Sequence, residues 1–207
     1  TDKTNVLHRI SKTNAGIWAT MGRSLSYKSN YSLEVSLEIM KTIVVPRLLS
    51  GLQALTIKGE NFEKLDRFYS CFMRRIMLQR AKSPMSPILA ITGTPTLRAI
   101  LDRDVMNLFH NVWSLDGPVK DSCIAIWTDE TLKHNYWPYR VREICQKYNI
   151  PDPLVLVQSD CPSKDEWKGY LTEKIFESDR RSLRDKDRKS TRLNPSHSSV
   201  SRMPSSA

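Results

Sequence analysis

Apolar residues recur at steps of three and four along most of the chain, the spacing of one face of an α-helix. Leu7, Ile10, Ile17 and Met21, flanked by Trp18, predict a first helix from Asn5 to about Ser24. The polar stretch Ser26 to Ser32 reads as a loop. Ser32 can cap a second helix, with Glu34 in its first turn. Leu33, Leu37, Met40, Val44, Leu48, Leu52 and Leu55 form its stripe. Pro46 interrupts that stripe and predicts a kink or two helices, because proline removes a backbone donor. The β-branched run Ile43-Val44-Val45 leaves a local strand open. Gly59 marks a break, and Asn61 can cap a third helix to about Gln79. Its face of Leu65, Phe68, Tyr69, Phe72 and Ile76 lies opposite Lys64, Arg67, Arg74 and Arg75.

Beyond the connector Ser83 to Pro87, a short helix to Thr92 is expected, and Thr94-Pro95 predicts a new start. Leu97, Ile100, Leu101, Val105, Leu108, Phe109 and Val112 make the inner face of that helix, and Asp116-Gly117-Pro118 stops it. Further helices are expected over Val119 to Trp127 and Pro138 to Tyr148, with an extended turn at Pro151-Asp152-Pro153. Ser163 and Glu166 have the spacing of a capping box, opening a last helix with Trp167, Leu171 and Ile175 inward. The fold class is therefore all-α, a multi-helix bundle followed by further helices. The organisation read from the sequence is 1–82, 83–186 and a tail, 187–207. The tail is Ser-rich and nearly free of apolar residues, which predicts no fixed structure. Asp187 to Asn194, with Ser196-His197, closely resembles one reading frame of a common sequencing adapter, departing from it at Pro195. It reads as an artefact of sequence assembly, with a genuine disordered basic tail as the alternative.

Composition adds a sign of charge. The 207 residues are 40% apolar, enough for a core, and the seven glycines do not favour a turn-rich β fold. The formal net charge of +10 predicts attraction to polyanions, nucleic acid first and anionic membrane second. Cys71, Cys123, Cys145 and Cys161 form no CxxC and read as free thiols in an intracellular protein. The scattered histidines read as surface or core residues rather than metal ligands. No secretory leader and no apolar run of membrane-spanning length is present in the sequence. A start other than Met fits a fragment, with processing as the alternative.

Catalytic signatures are missing from the sequence. It contains no Asp-Asp dipeptide for paired metal ions, no glycine-rich phosphate loop, no HExxH and no GxSxG. Asp102 and Asp104, on a helix with Arg103, read as a solvated face. No enzyme activity and no cofactor are expected of this chain alone. The positive surface that remains is Lys64, Arg67, Arg74, Arg75, Arg80 and Lys82. A row of forked guanidinium groups can follow a phosphate backbone. The alternative is an ordinary solvated helix face.

Val45-Pro46-Arg47-Leu48-Leu49-Ser50-Gly51-Leu52-Gln53-Ala54-Leu55 resembles the "PRLLYGLEAL" segment after the reverse-transcriptase palm of non-LTR (LINE-type) retrotransposons. Ser50 stands for the usual tyrosine and Gln53 for the acidic residue. Leu65-Asp66-Arg67-Phe68 through Arg74-Arg75-Ile76-Met77 resembles "LERFQ…LRRILGLP", and Arg80 to Pro84 the basic loop after it. Lys147 to Leu154 and Lys164 to Lys168 resemble the post-thumb segment of several invertebrate elements. The resemblance implies a thumb-like region over 1–82 that clasps a primer–template duplex, then a connection region. It implies RNA–DNA or DNA duplex, or the element RNA, as partner, and no membrane. Palm and fingers, with the Mg²⁺ that the parent polymerase would use, would lie outside this chain. The expected compartments are nucleus and cytoplasm. A different class remains open, a helical protein-interaction module docking a partner through Trp113, Trp127, Tyr136, Trp137 and Tyr139, although these aromatics also suit a core.

Overall fold

The computed structural model describes residues 2–21, 32–57, 59–129 and 137–192, and they are all-α, with no strand among them. Helix α1 (Asp2–Met21) turns inward a face only partly that of its predicted stripe, with Ile17 buried and Ile10 packed against the core. Val6, Thr13, Gly16 and Ile17 are buried, whereas Leu7 and Trp18 stand about half exposed. The expected end of this helix at Ser24 and the loop from Ser26 to Tyr31 lie outside the described residues.

Ser32 caps α2 (Leu33–Ile39), its hydroxyl accepting from the Val35 amide. Pro46 shapes the turns after it. One π-turn, Met40–Val44, joins α2 to α3 (Val45–Leu49), and the Val45 amide reaches back to the Met40 carbonyl. The extra residue in that turn accommodates a proline that donates no bond, so the run stays helical through Ile43-Val44-Val45 and forms no strand. Gly51, at φ 73°, ends α3 in the left-handed region.

Helix α4 (Gly59–Ile76) starts two residues before the expected cap, and Asn61 lies buried within it. Leu65, Tyr69 and Phe72 face inward together with Phe62 and Met73. Each such burial is worth about 1.5–3 kcal/mol before the entropy of ordering. The connector leads to α5 (Met85–Thr92) and then α6 (Leu97–Trp113). Thr96, not Thr94, is the cap of α6; its hydroxyl accepts from the Ala99 amide. Pro95 lies just outside, where its carbonyl accepts from the Tyr69 hydroxyl at 2.9 Å.

Helices α7 (Pro118–Thr128) and α8 (Trp137–Tyr148) come next. The Pro-Asp-Pro turn opens a short α9 (Pro153–Gln158), capped by the Asp152 carboxylate. Both bonds of the Ser163–Glu166 capping box are made at the start of α10 (Lys164–Leu171). These bonds hold the Glu166 carboxyl below its ordinary range. A second π-turn, Thr172–Phe176, joins α10 to α11 (Glu177–Arg192). Helix α11 therefore continues past Asp187, where composition predicts that an unstructured tail begins, because its backbone bonds carry on through the basic run. Residues 193–207 lie outside the described residues.

Two apolar clusters organise the packing. One gathers α1 to α5, the first turns of α6 and Leu183 of α11. The other gathers the rest of α6 with α7, α8 and α10, around Phe109, Trp113, Trp127 and Trp167. Leu97, Ile100 and Leu101 belong to the first cluster, and Ala99, Val105, Met106, Phe109 and Trp113 to the second. One helix thus serves both.

Candidate nucleic-acid interface

The exposed side of α4 is built by its amphipathic sequence. Once Leu65, Tyr69 and Phe72 turn inward, Arg67, Cys71 and Arg75 are left outward, with Lys64 half-buried beside them. Arg80 and Lys82 continue in the exposed exit loop. The N-terminal end of the helix is different. Glu60 and Glu63 are exposed there, and Glu63 approaches Arg67 at 3.8 Å. Both side chains are largely in solvent, so this pair contributes little to stability. The charge along α4 thus runs from acidic to basic, and the basic end coincides with the negative end of the helix dipole.

Arg74 stands apart from the other five. It is half-buried, and its Nε donates to the Ser83 carbonyl at 2.7 Å. It also lies close enough to Asp66 to oppose the rise that burial imposes on that carboxyl. Its side chain therefore fastens the connector to α4. The cap beneath it is a Schellman motif, with Gln79 N–H bonding Arg74 C=O and Leu78 N–H bonding Arg75 C=O. This fixes the direction in which Arg80 and Lys82 leave the helix.

Asp102 is not on a solvated face. It is buried and accepts from Lys147 Nζ at 2.8 Å and from the Tyr148 hydroxyl at 2.9 Å, with Arg140 Nη2 at 3.9 Å. Arg140 in turn donates to the Leu55 carbonyl at 2.7 Å, so one buried network ties α6 and α8 to the segment after α3. Burial and the neighbouring Asp102 charge push the Tyr148 hydroxyl well above its ordinary range. The group is consumed by internal pairing and reads as a fastening of the fold.

The aromatic segment is largely core. Trp113 and Trp127 are buried, Trp127 donating to the Pro138 carbonyl at 2.8 Å. Trp137 and Tyr139 are half-buried, and Tyr136 lies outside the described residues. Cys123 and Cys145 are buried free thiols, and burial pushes Cys145 up to about 12. No grouping of three or more His, Cys, Asp or Glu suited to a metal ion occurs among the described residues. No helix among them is long and apolar enough to cross a membrane.

One basic cluster does not stand out in the sequence. Asn5, His8, Arg9 and Lys12 share a stripe of α1 that faces Arg47 and Ser50 of the α3 end. Its signal is an i, i+3, i+4, i+7 spacing of polar residues, which the apolar spacing of Leu7 and Ile10 masks. Comparison with known proteins finds no matching family model, no similar curated protein and no similar solved structure.

Proposed function

We propose that this chain binds a nucleic-acid duplex through the basic end of α4 and its exit loop, as the thumb-like part of a non-LTR retrotransposon reverse transcriptase. The observation that carries the binding is the exposed row Arg67, Arg75, Arg80 and Lys82 on one helix and its loop. The row is set on a buried base of Leu65, Tyr69 and Phe72. Arg75, Arg80 and Lys82 enter no ion pair among the described residues, and the Arg67–Glu63 contact lies in solvent, so these charges stay available to phosphates. The retrotransposon origin rests on the segments 45–55, 65–77 and 80–84, and an all-helical fold accords with it. On this reading the chain acts by holding a duplex, and polymer chemistry belongs to a palm outside it.

Changing Arg67, Arg75 and Arg80 together to Gln tests the binding. Arg74 is left in place because of its bond to Ser83. Removing one phosphate contact lowers the slope of log affinity against log salt by about 0.7–0.9. The triple variant is expected to flatten that slope by roughly 2 to 3 on an RNA–DNA duplex, with its helical content unchanged. Unchanged affinity and slope in the folded variant would reduce the row to a solvated face.

A further inference from the structure

The cleft between α1 and the end of α3 has a volume of about 430 Å³ and is lined by Asn5, His8, Arg9, Lys12, Arg47 and Ser50. None of these six is a carboxylate. Arg9 Nε donates to Asn5 Oδ1 at 2.8 Å, and Nη1 donates to the Ser50 carbonyl. Both acceptors are neutral, so the guanidinium is fixed in position with no ion pair among the described residues to compensate its charge. Burial draws its proton affinity down from the ordinary value, with no anion acting in the opposite direction. No ion pair among the described residues involves Lys12 or Arg47 either.

Gly16 places the Arg47 side chain that lines the cleft. It is one turn beyond Lys12 on the same stripe, and the Arg47 side chain lies across it. A Cβ built on Gly16 would fall on the Arg47 guanidinium, and its three nearest atoms all belong to Arg47. A glycine in mid-helix costs stability relative to alanine. Here the missing Cβ is what lets a guanidinium settle against the helix beside Lys12.

We propose that this cleft is a binding site for a single phosphoryl group, taken from a strand end or from the backbone of a nucleic acid, held by Lys12, Arg47 and His8 against the fixed charge of Arg9. A phosphoryl group suits it because its oxygens accept only, and every charged lining group can donate. The site is separate from the α4 row and does not depend on it.

Titration of the whole chain with inorganic phosphate, followed by backbone amide shifts, tests this. Saturable shifts are expected at His8, Lys12, Gly16 and Ser50, and not along α4. Two variants weaken it by different routes. Lys12→Gln with Arg47→Gln removes the charges. Gly16→Ala removes none, favours the helix, and displaces the Arg47 guanidinium from its place against α1. Each is expected to lower phosphate affinity at least about tenfold, the worth of one or more charge-assisted bonds, with the fold retained. Competition then identifies the source. A 5′-phosphorylated tetranucleotide competing where its 5′-hydroxyl form does not marks a strand end, and equal competition marks the backbone. Competition by neither, shifts spread over all lysines and arginines, or undiminished affinity in the folded Gly16→Ala protein would overturn the proposal.

Discussion

Among the described residues, three helices end in the same cap with three different residues at its left-handed position. Gly93 stands there after α5, Asn149 after α8 and Leu78 after α4, at φ 62°, 53° and 52°. Glycine has no Cβ to clash and Asn tolerates the conformation, but leucine gains nothing to offset it, since Leu78 is 69% exposed. Leu78→Gly is therefore expected to stabilise the protein by about 1 kcal/mol, and Gly93→Ala to cost a similar amount. Urea titration of both variants measures the pair; a destabilised Leu78→Gly would mean that Leu78 makes a contact worth more than its strain. Buried hydroxyls and thiols give the residue scale a pH dependence. Cys145 is raised to about 12 from 9.0, and Tyr148 and Tyr69 are raised as well. Folding holds these protons more tightly than the unfolded chain does. The stability they contribute is thus complete below pH 9 and is lost as pH rises toward the folded values. Unfolding free energies from urea titration are expected to fall from pH 9 upward, by at most about 1.4 kcal/mol per pH unit for each group. Cys145→Ala should lessen that slope, and an equally steep slope would remove Cys145 as a contributor.

At the scale of elements, what the sequence discloses depends on whether a helix carries one apolar face or must be placed by a partner. In α4 the inward set Leu65, Tyr69 and Phe72 comes directly from spacing. In α1 spacing alone favours Leu7, and the structure buries Val6 and Thr13 instead, because α3 and α4 decide which side of a weakly amphipathic helix is covered. Asp102 departs from its sequence reading for a similar reason. Its partners Arg140, Lys147 and Tyr148 come from α8, far along the chain, and nothing next to Asp102 signals them. The start of α6 is also set from a distance. The Asp179 carboxylate accepts from the Thr96 amide and hydroxyl, both at 2.8 Å, binding α11 to the α6 cap. Asp179→Ala is expected to cost about 1–3 kcal/mol, since it strips two bonds from a half-buried cap. It should also speed protease cleavage within α11, whose only buried side chain among those described is Leu183. Cleavage at the original rate would show that Leu183 and the α5 contact hold α11 unaided. The candidate interface divides along the same line. The row on α4 is legible because one helix carries it, whereas the α1–α3 cleft needs the fold to bring Arg47 over Gly16.

For the whole molecule the decisive feature is that both apolar clusters are threaded on α6. A chain with two cores joined by a linker can lose one and keep the other. Here Leu101 is sealed in the first cluster and Val105, one turn later, in the second. Loosening either end of α6 removes the support of the other, and the Asp102 network adds a tie from α6 and α8 to the segment after α3. The fold is thus expected to unfold in one cooperative transition. The tryptophans make this testable. Trp113, Trp127 and Trp167 are buried in the second cluster and Trp137 packs against it, whereas the first cluster contains none. Tryptophan fluorescence therefore reports mainly on the second cluster, and far-ultraviolet circular dichroism on the helices of both. Leu101→Ala cuts a cavity only in the first cluster and should cost about 2–5 kcal/mol. If the two clusters are coupled, this substitution lowers the urea midpoint seen by fluorescence as far as that seen by circular dichroism. A fluorescence transition left at its original midpoint, with an earlier step in circular dichroism, would mean that α6 can break between Leu101 and Val105 and that the two ends of the chain fold independently.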